Sequence, residues 1–268
     1  MCKILLTGTN GYIGSCLLSE VLKKYKKEDV ILVLRKGSEP KIKNIPFIEY
    51  DGTLESLGDL EEIETVFHIA ANCYTGNDVN KYDKLIKDNI IFSTHIFSTC
   101  INAHIICAST YSLLLSKPNF YSMTKKAVED LSEAYPQDIT FIRLPDVMGY
   151  NDKRRKLYNL LLKARNEESF TFLKGRNFKI ALLDVRDVVR AFFYAKNELV
   201  DKDKIYDIIP DYMTMEELAK IVLPDKVKVF YGEDKEQEII YSTRPMKGFK
   251  IKKYTTIESL KNGGAFDE

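Results

Sequence analysis

Hydrophobic and polar positions fall into two rhythms along the first 150 residues. Short apolar runs at "KILLTG" (3–8), "VILVLR" (30–35), "FIEYDG" (47–52), "TVFHIAA" (65–71), "HIICAST" (104–110) and "ITFIRLP" (139–145) end on turn-forming or polar residues, as buried strands do. Between most of them, apolar positions recur at helical spacing over 12–27, 54–63, 80–102 and 120–134. Strand and helix alternating in this way predict an α/β fold, a doubly wound parallel sheet with right-handed crossovers and helices on both faces.

After about residue 150 the rhythm loosens. A helix is predicted near 154–167, a strand pair at "FTFLKG" and "KIALLDV", a helix at 185–198, a strand at "KIYDIIP" and a helix at 214–222. No repeat, low-complexity tract or flexible linker separates this part. It is expected to be a smaller lobe packed on the first domain, with the division near 150/151 and some interleaving.

Three glycines, Gly8, Gly11 and Gly14, stand between the first strand and the first helix in "TGTNGYIG". Such a turn serves a tight strand-to-helix connection in any case. In this setting it also offers unpaired helix N–H groups and the positive end of a helix dipole to a pyrophosphate, the arrangement of a Rossmann dinucleotide site. Gly8 would permit the turn, Gly11 would let phosphate approach, and Gly14 would let the helix pack on the strand. About 20 residues further on, a ribose 2′-hydroxyl calls for a carboxylate. The chain instead has Arg35 and Lys36, which suit a 2′-phosphate, so NADP(H) is expected in preference to NAD(H), which remains possible.

In "NFYSMTKKAVEDL", Tyr121 and Lys125 lie four apart on a predicted helix, so both project from one face. An ammonium beside a phenol favours the phenolate and suits the pair to acid/base work. Just upstream, the strand "ICAST" ends in Ser109 and Thr110, either of which could present a hydroxyl to the same substrate oxygen.

Taken in order, "TGTNGYIG", "VFHIAAN", "ICAST", "YSMTKKAVED" and "IRLPDVMG" make residues 3–195 similar to extended short-chain dehydrogenases/reductases, the NAD-dependent epimerase/dehydratase family acting on nucleotide sugars. The resemblance implies Tyr121 as acid/base, Lys125 as its partner and ribose ligand, and Thr110 as the hydroxyl on the reacting oxygen, with Ser109 as the alternative. It places Gly8, Gly11, Tyr12, Ile13 and Gly14 around the pyrophosphate, Asp51 and Gly52 at the adenine, and Ala70 and Ala71 along the cofactor. Leu144, Pro145 and Val147 fall beside the nicotinamide, and Asn89 orders the long helix near the site. His68 is expected to pack or hydrogen-bond, and Asp187 to start a helix in a structural role.

Departures from the family narrow the reaction. Its dehydratases follow the threonine with Asp-Glu, whereas Thr110 is followed by Tyr111 and Ser112, so elimination loses its acid and base. Asp146 stands in the region where many relatives have asparagine, and Lys153, Arg154 and Arg155 are candidate diphosphate ligands. The expected activity is NADPH-dependent reduction of a nucleotide-linked 4-keto-6-deoxy sugar. An NAD-dependent 4-epimerase and a non-catalytic NADP-binding regulator are the alternatives, and a homodimer through two helices is a family expectation.

Composition adds exclusions. Forty basic residues nearly cancel 39 acidic ones, so no overall field favours nucleic acid or an anionic membrane. Five cysteines without C-x-x-C spacing argue for a reducing compartment and against a zinc site or other metal. No run approaches membrane-spanning length, and the start reads as no signal peptide, so a soluble cytoplasmic protein is expected.

Overall fold

The computed structural model describes residues 3–149, 156–198 and 204–252. Its first half runs β1 (Lys3–Thr7), α1 (Tyr12–Lys24), β2 (Val30–Arg35), β3 (Phe47–Tyr50), β4 (Ile63–His68) and α2 (Tyr82–Leu85). A π-helical stretch (Ile86–Ile91) joins α2 to α3 (Phe92–Thr99), followed by β5 (His104–Thr110), α4 (Phe120–Leu131), β6 (Ile139–Leu144) and β7 (Asp146–Met148). Then come α5 (Lys156–Ala164), β8 (Ser169–Gly175), β9 (Lys179–Ile180), β10 (Leu182–Asp184), α6 (Val185–Asn197), β11 (Ile205–Asp207), β12 (Met213–Thr214), α7 (Met215–Val222) and β13 (Lys228–Gly232).

Seven strands form one parallel sheet in the order β11-β6-β5-β4-β1-β2-β3. The direction of winding reverses between β4 and β1, and in such sheets ligands bind beyond the carboxyl ends of the strands at this switch point. Alternate residues of β1 serve opposite faces. Ile4 and Leu6 join Leu17, Leu18 and Val21 of α1 and Val188, Val189 and Phe192 of α6 on one side. Leu5 joins Phe92, Ile96 and Phe97 of α3 and Val128 of α4 on the other. Each such side chain contributes about 1.5–3 kcal/mol by leaving water, so the sheet is held from both faces. A third core, with Leu161, Phe172, Met215, Leu218 and Val222, builds the smaller lobe.

Chain after residue 150 also returns to the main body. β11 extends the large sheet beyond β6, and α6 packs beside α1. The helix predicted over 54–63 is a single turn of 3-10 helix, Glu55–Leu57, which stops at Gly58, and β4 begins two residues early at Ile63. Only Leu57 and Leu60 of its apolar positions are buried before Ile63, and an acidic, exposed remainder leaves a helix there no face to pack. The predicted strand pair also separates: β8 pairs with β13, β9 with β12, and β10 with β7. Phe170 and Phe172 are covered by pairing with Val229 and Tyr231, a long-range partner that local pattern does not reveal.

Candidate active site

Three strand ends and two helix starts converge at the switch point. After β1 the chain turns at Gly8, whose φ of +73° suits glycine, and a Cβ there would lie 2.6 Å from the Ala70 N atom. At Gly14 a Cβ would stand 2.2 Å from the Gly8 carbonyl oxygen, so α1 rests directly on the turn. No side chain caps α1 at Gly11, and no acidic residue lies in its first turn, which leaves the positive end open to an anion. The Thr9 hydroxyl in this loop is buried and has no hydrogen-bond partner among the described residues. An open helix start, a cradle that side chains would fill and an orphaned buried hydroxyl fit a dinucleotide pyrophosphate. Tyr12 and Ile13 begin the helix, and the Tyr12 hydroxyl fills the space beside Gly149.

Arg35 and Lys36 sit where β2 ends. The Arg35 guanidinium is 3.4 Å from Asp88, and the Lys36 ammonium is 4.0 Å from Asp51. Asp51 and Gly52 follow β3, and hydrogen bonds from Thr53 hold the Asp51 carboxyl below the usual carboxylate range. Asn10 Nδ2 donates to the Glu39 carbonyl, tying the glycine loop to the segment after β2.

Behind Ala70 and Ala71 runs a buried polar chain. The N–H groups of Ile69 and Ala70 donate to Thr7 Oγ1, which is 2.9 Å from His68 Nδ1. His68 Nε2 is 2.9 Å from Ser93 Oγ, and that hydroxyl donates to the Asn89 carbonyl. Because Ser93 spends its proton on Asn89, His68 must carry its proton on Nε2 and accept from Thr7 at Nδ1. Burial first, and the Lys125 ammonium second, push the imidazole down to about 3, so it is neutral. Asn89 Oδ1 accepts the Asn72 N–H, while its amide donates to the Asn72 carbonyl and to Thr124 Oγ1 of α4. Asn89 thus clamps the loop after β4 to α4 from within the π-helical stretch. Such π-turns recur at functional sites because they re-aim a side chain.

Thr110 ends β5, and Tyr121 and Lys125 lie one turn apart on α4, capped by Asn119. Tyr82 and Phe120 stack with ring centres 3.9 Å apart, bracing the helix start. Lys125 is buried, and desolvation lowers its pKa against the raising influence of Cys107, Cys73 and Glu129. No group among the described residues takes a hydrogen bond from its ammonium, as suits a ligand for a ribose. Ser109 points elsewhere: it donates to Glu129 Oε1 at 2.6 Å. That carboxylate also takes both Nε and Nη2 of Arg143, and Arg143 reaches Asp207 on β11. Of the two hydroxyls at the strand end, Thr110 is the one not committed to this buried cluster.

Leu144, Pro145 and Val147 line the passage from β6 to β7 and are buried. Lys153, Arg154 and Arg155 lie outside the described residues. The α6 cap is Asp184, while Asp187 lies in the first turn, buried and paired with Arg190. Sequence reading missed Thr9, the Thr7–His68–Ser93 chain, Ser112, Ser122 and the Glu129–Arg143 pair. One signal was present: an arginine inside the apolar run "ITFIRLP" requires a buried carboxylate, and Glu129 follows Lys125 by one helical turn.

Fold and site together define a Rossmann-type dinucleotide-binding protein with a Tyr-Lys pair at the switch point. Residues 4–208 match the NAD dependent epimerase/dehydratase family, and the chain belongs to it. It is 26% identical to the dTDP-D-glucose 4,6-dehydratase of Dictyostelium discoideum, over 78% of this chain and 58% of that protein, so it spans under two thirds of that relative. It is 25% identical to the CDP-abequose synthase of Yersinia pseudotuberculosis, over 81% of this chain and 82% of that one. A monomeric L-threonine 3-dehydrogenase from a metagenome shares the fold, with a TM-score of 0.77, 19% identity and 97% of each chain covered. Among the described residues, no helix is long and apolar enough to cross a membrane.

Proposed function

We propose that the protein reduces a nucleotide-linked 4-keto-6-deoxy sugar with NADPH. The observation that carries this reading is the buried Lys125 ammonium, which donates to no group among the described residues, one helical turn from Tyr121, with the Thr110 hydroxyl, bonded to Ser112 and clear of the Glu129–Arg143 cluster, at the adjoining strand end. The relative named a CDP-abequose synthase, matched over 82% of its length, supports a nucleotide-sugar substrate. Gly8, Gly11, Tyr12, Ile13, Gly14 and Thr9 would hold the pyrophosphate, and Arg35 and Lys36 the 2′-phosphate. Asp51 and Gly52 would meet the adenine, and Lys125 the ribose. Ala70, Ala71, Leu144, Pro145 and Val147 would flank the rest, with Asn89 fixing the loop.

When bound, the dinucleotide supplies a hydride. Tyr121 gives its proton to the oxygen that gains charge as the carbonyl is reduced, Lys125 stabilises the resulting phenolate, and Thr110 steadies the same oxygen by hydrogen bonding. Asp-Glu being replaced by Tyr111-Ser112, the site lacks carboxylates there for removing water.

A 4-epimerase reading keeps support from one observation. Arg35 and Lys36 both face carboxylates, Asp88 and Asp51, which weakens their hold on a 2′-phosphate. Loss of absorbance at 340 nm with a panel of nucleotide 4-keto sugars tests the first reading, with L-threonine and nucleotide 4-hydroxy sugars alongside. NAD that co-purifies and supports inversion at C4 without added NADPH would establish the second. The homodimer would use the helices at 82–99 and α4, which leave Ile86, Ile91, Met123 and Leu131 exposed; sedimentation at micromolar concentration decides it.

A further inference from the structure

Two hydroxyls with no part in this chemistry stand behind Thr110. Ser112 Oγ lies 2.9 Å from Thr110 Oγ1 and 2.7 Å from Ser122 Oγ, and Ser122 Oγ lies 3.0 Å from Asn119 Oδ1. Asn119 Oδ1 has no proton to give, and as the cap of α4 it also accepts the Ser122 N–H at 2.9 Å. Ser122 is fully buried and Thr110 is 8% exposed, while Ser112 and Asn119 are half-buried. Ser112 occupies the second position after Thr110, where the family's dehydratases place a carboxylate, and its bonds run sideways to α4.

Each hydroxyl carries one proton, which permits two self-consistent arrangements. In the outward one, Ser122 donates to Asn119, Ser112 to Ser122 and Thr110 to Ser112, turning the Thr110 proton away from the site. In the inward one, Ser122 donates to Ser112 and Ser112 to Thr110, and the Thr110 proton is delivered to an acceptor in the site. Both contain three hydrogen bonds once a substrate oxygen is present, and Asn119 keeps the Ser122 N–H in both. An amide oxygen is no base at neutral pH, so the row orients protons by rotation and conducts none.

We propose that Ser112 and Ser122 are positioning residues whose hydroxyls form a reversible row that aims the Thr110 proton at the reacting oxygen of a bound carbonyl or alcohol substrate. The inference rests on Thr110 acting on substrate, as argued above. The test compares Ser112→Ala, Ser112→Thr, Thr110→Ala and the Thr110/Ser112 double alanine variant, using whichever panel compound the unaltered protein turns over. Ser112→Ala is expected to lower kcat roughly 10-fold, less than loss of a whole oxyanion donor, with KM and the Kd for NADPH within about twofold. Ser112→Thr recovers most of that loss, and Ser112→Ala adds nothing once Thr110 is alanine. Independent, multiplying effects of the two alanine changes, or no recovery in Ser112→Thr, overturn the row. If the unaltered protein turns over no compound, the substrate reading fails by itself, and the row is judged by NMR of selectively labelled hydroxyls. A Thr110 hydroxyl proton protected from exchange and lost in Ser112→Ala supports it; a signal unmoved by that change refutes it.

Discussion

Gly14 meets the Gly8 carbonyl so closely that a Cβ on Gly14 would lie 2.2 Å from that oxygen, whereas one on Gly11 would lie 3.0 Å from it. The two positions therefore separate folding from binding. Gly14→Ala forces α1 off the strand and is expected to cost about 1–3 kcal/mol, the range for overpacking, as well as cofactor affinity. Gly11→Ala, which needs the Gly8 carbonyl to give by only a few tenths of an ångström, should cost clearly less stability than Gly14→Ala while weakening dinucleotide binding. Urea unfolding paired with cofactor titration reads both, and equal stability losses would contradict the packing argument.

Tyr121→Phe removes the proton donor and leaves the ring in place. Turnover should fall by about 10²–10⁴, the usual range for a general acid, with the Kd for the cofactor little changed. Lys125→Met removes a ribose ligand as well, so both turnover and cofactor affinity should drop. Turnover unchanged in Tyr121→Phe would remove Tyr121 as the acid.

Glu129 and Arg143 are both buried and share two hydrogen bonds, with Ser109 on the same carboxylate. Removing Glu129 takes two hydrogen bonds from Arg143 and leaves it Asp207 alone at 3.5 Å, and loss of one partner of a buried pair costs about 3–5 kcal/mol. Glu129→Ala should therefore lower stability by that amount in chemical denaturation. A change below about 1 kcal/mol would mean that the cluster relaxes or admits water.

The doubly wound parallel sheet and the glycine turn were legible in the sequence because most strands are largely apolar runs and the motif has a backbone reason for every glycine. Tyr121 and Lys125 were legible because four-residue spacing puts them on one helix face. The choice between Ser109 and Thr110 was not, since it depends on Glu129 and Arg143, distant residues that meet only in the folded chain. Pairing in the lobe was hidden for a similar reason: β8 finds β13 more than fifty residues away. The false helix at 54–63 shows the reverse error, a periodic pattern with too few buried positions to pack.

His68 supplies a pH dependence with a defined sign. Its imidazole is ordinarily half protonated near 6.5, and burial pushes it to about 3 in the fold. The unfolded chain takes up a proton that the native state refuses, so stability is full above about 6.5 and declines as pH falls toward 3. Between pH 7.5 and 5.0 this one group should cost about 2 kcal/mol, at about 1.4 kcal/mol per unit below 6.5. His68→Gln, which cannot titrate, should lose that much less over the same interval in urea denaturation. Identical pH profiles for the two proteins would show that the site admits the imidazolium.

Arg35 carries the question of which dinucleotide is used. Its side chain is 66% exposed and its guanidinium is 3.4 Å from Asp88, a separation that leaves it free to turn toward a phosphate at little cost. A 2′-phosphate offers two negative charges and a bidentate geometry that the exposed pair with Asp88 does not match. Arg35→Ala should then weaken NADPH binding roughly 10-fold, the scale of one charge-assisted contact, and leave NADH binding within about twofold. Asp88→Asn should act in the opposite direction, freeing Arg35 and tightening NADPH. If both changes leave the ratio of the two dissociation constants where it was, the basic pair after β2 is a solvated strand end, and the case for a reductase over an epimerase loses its cofactor argument.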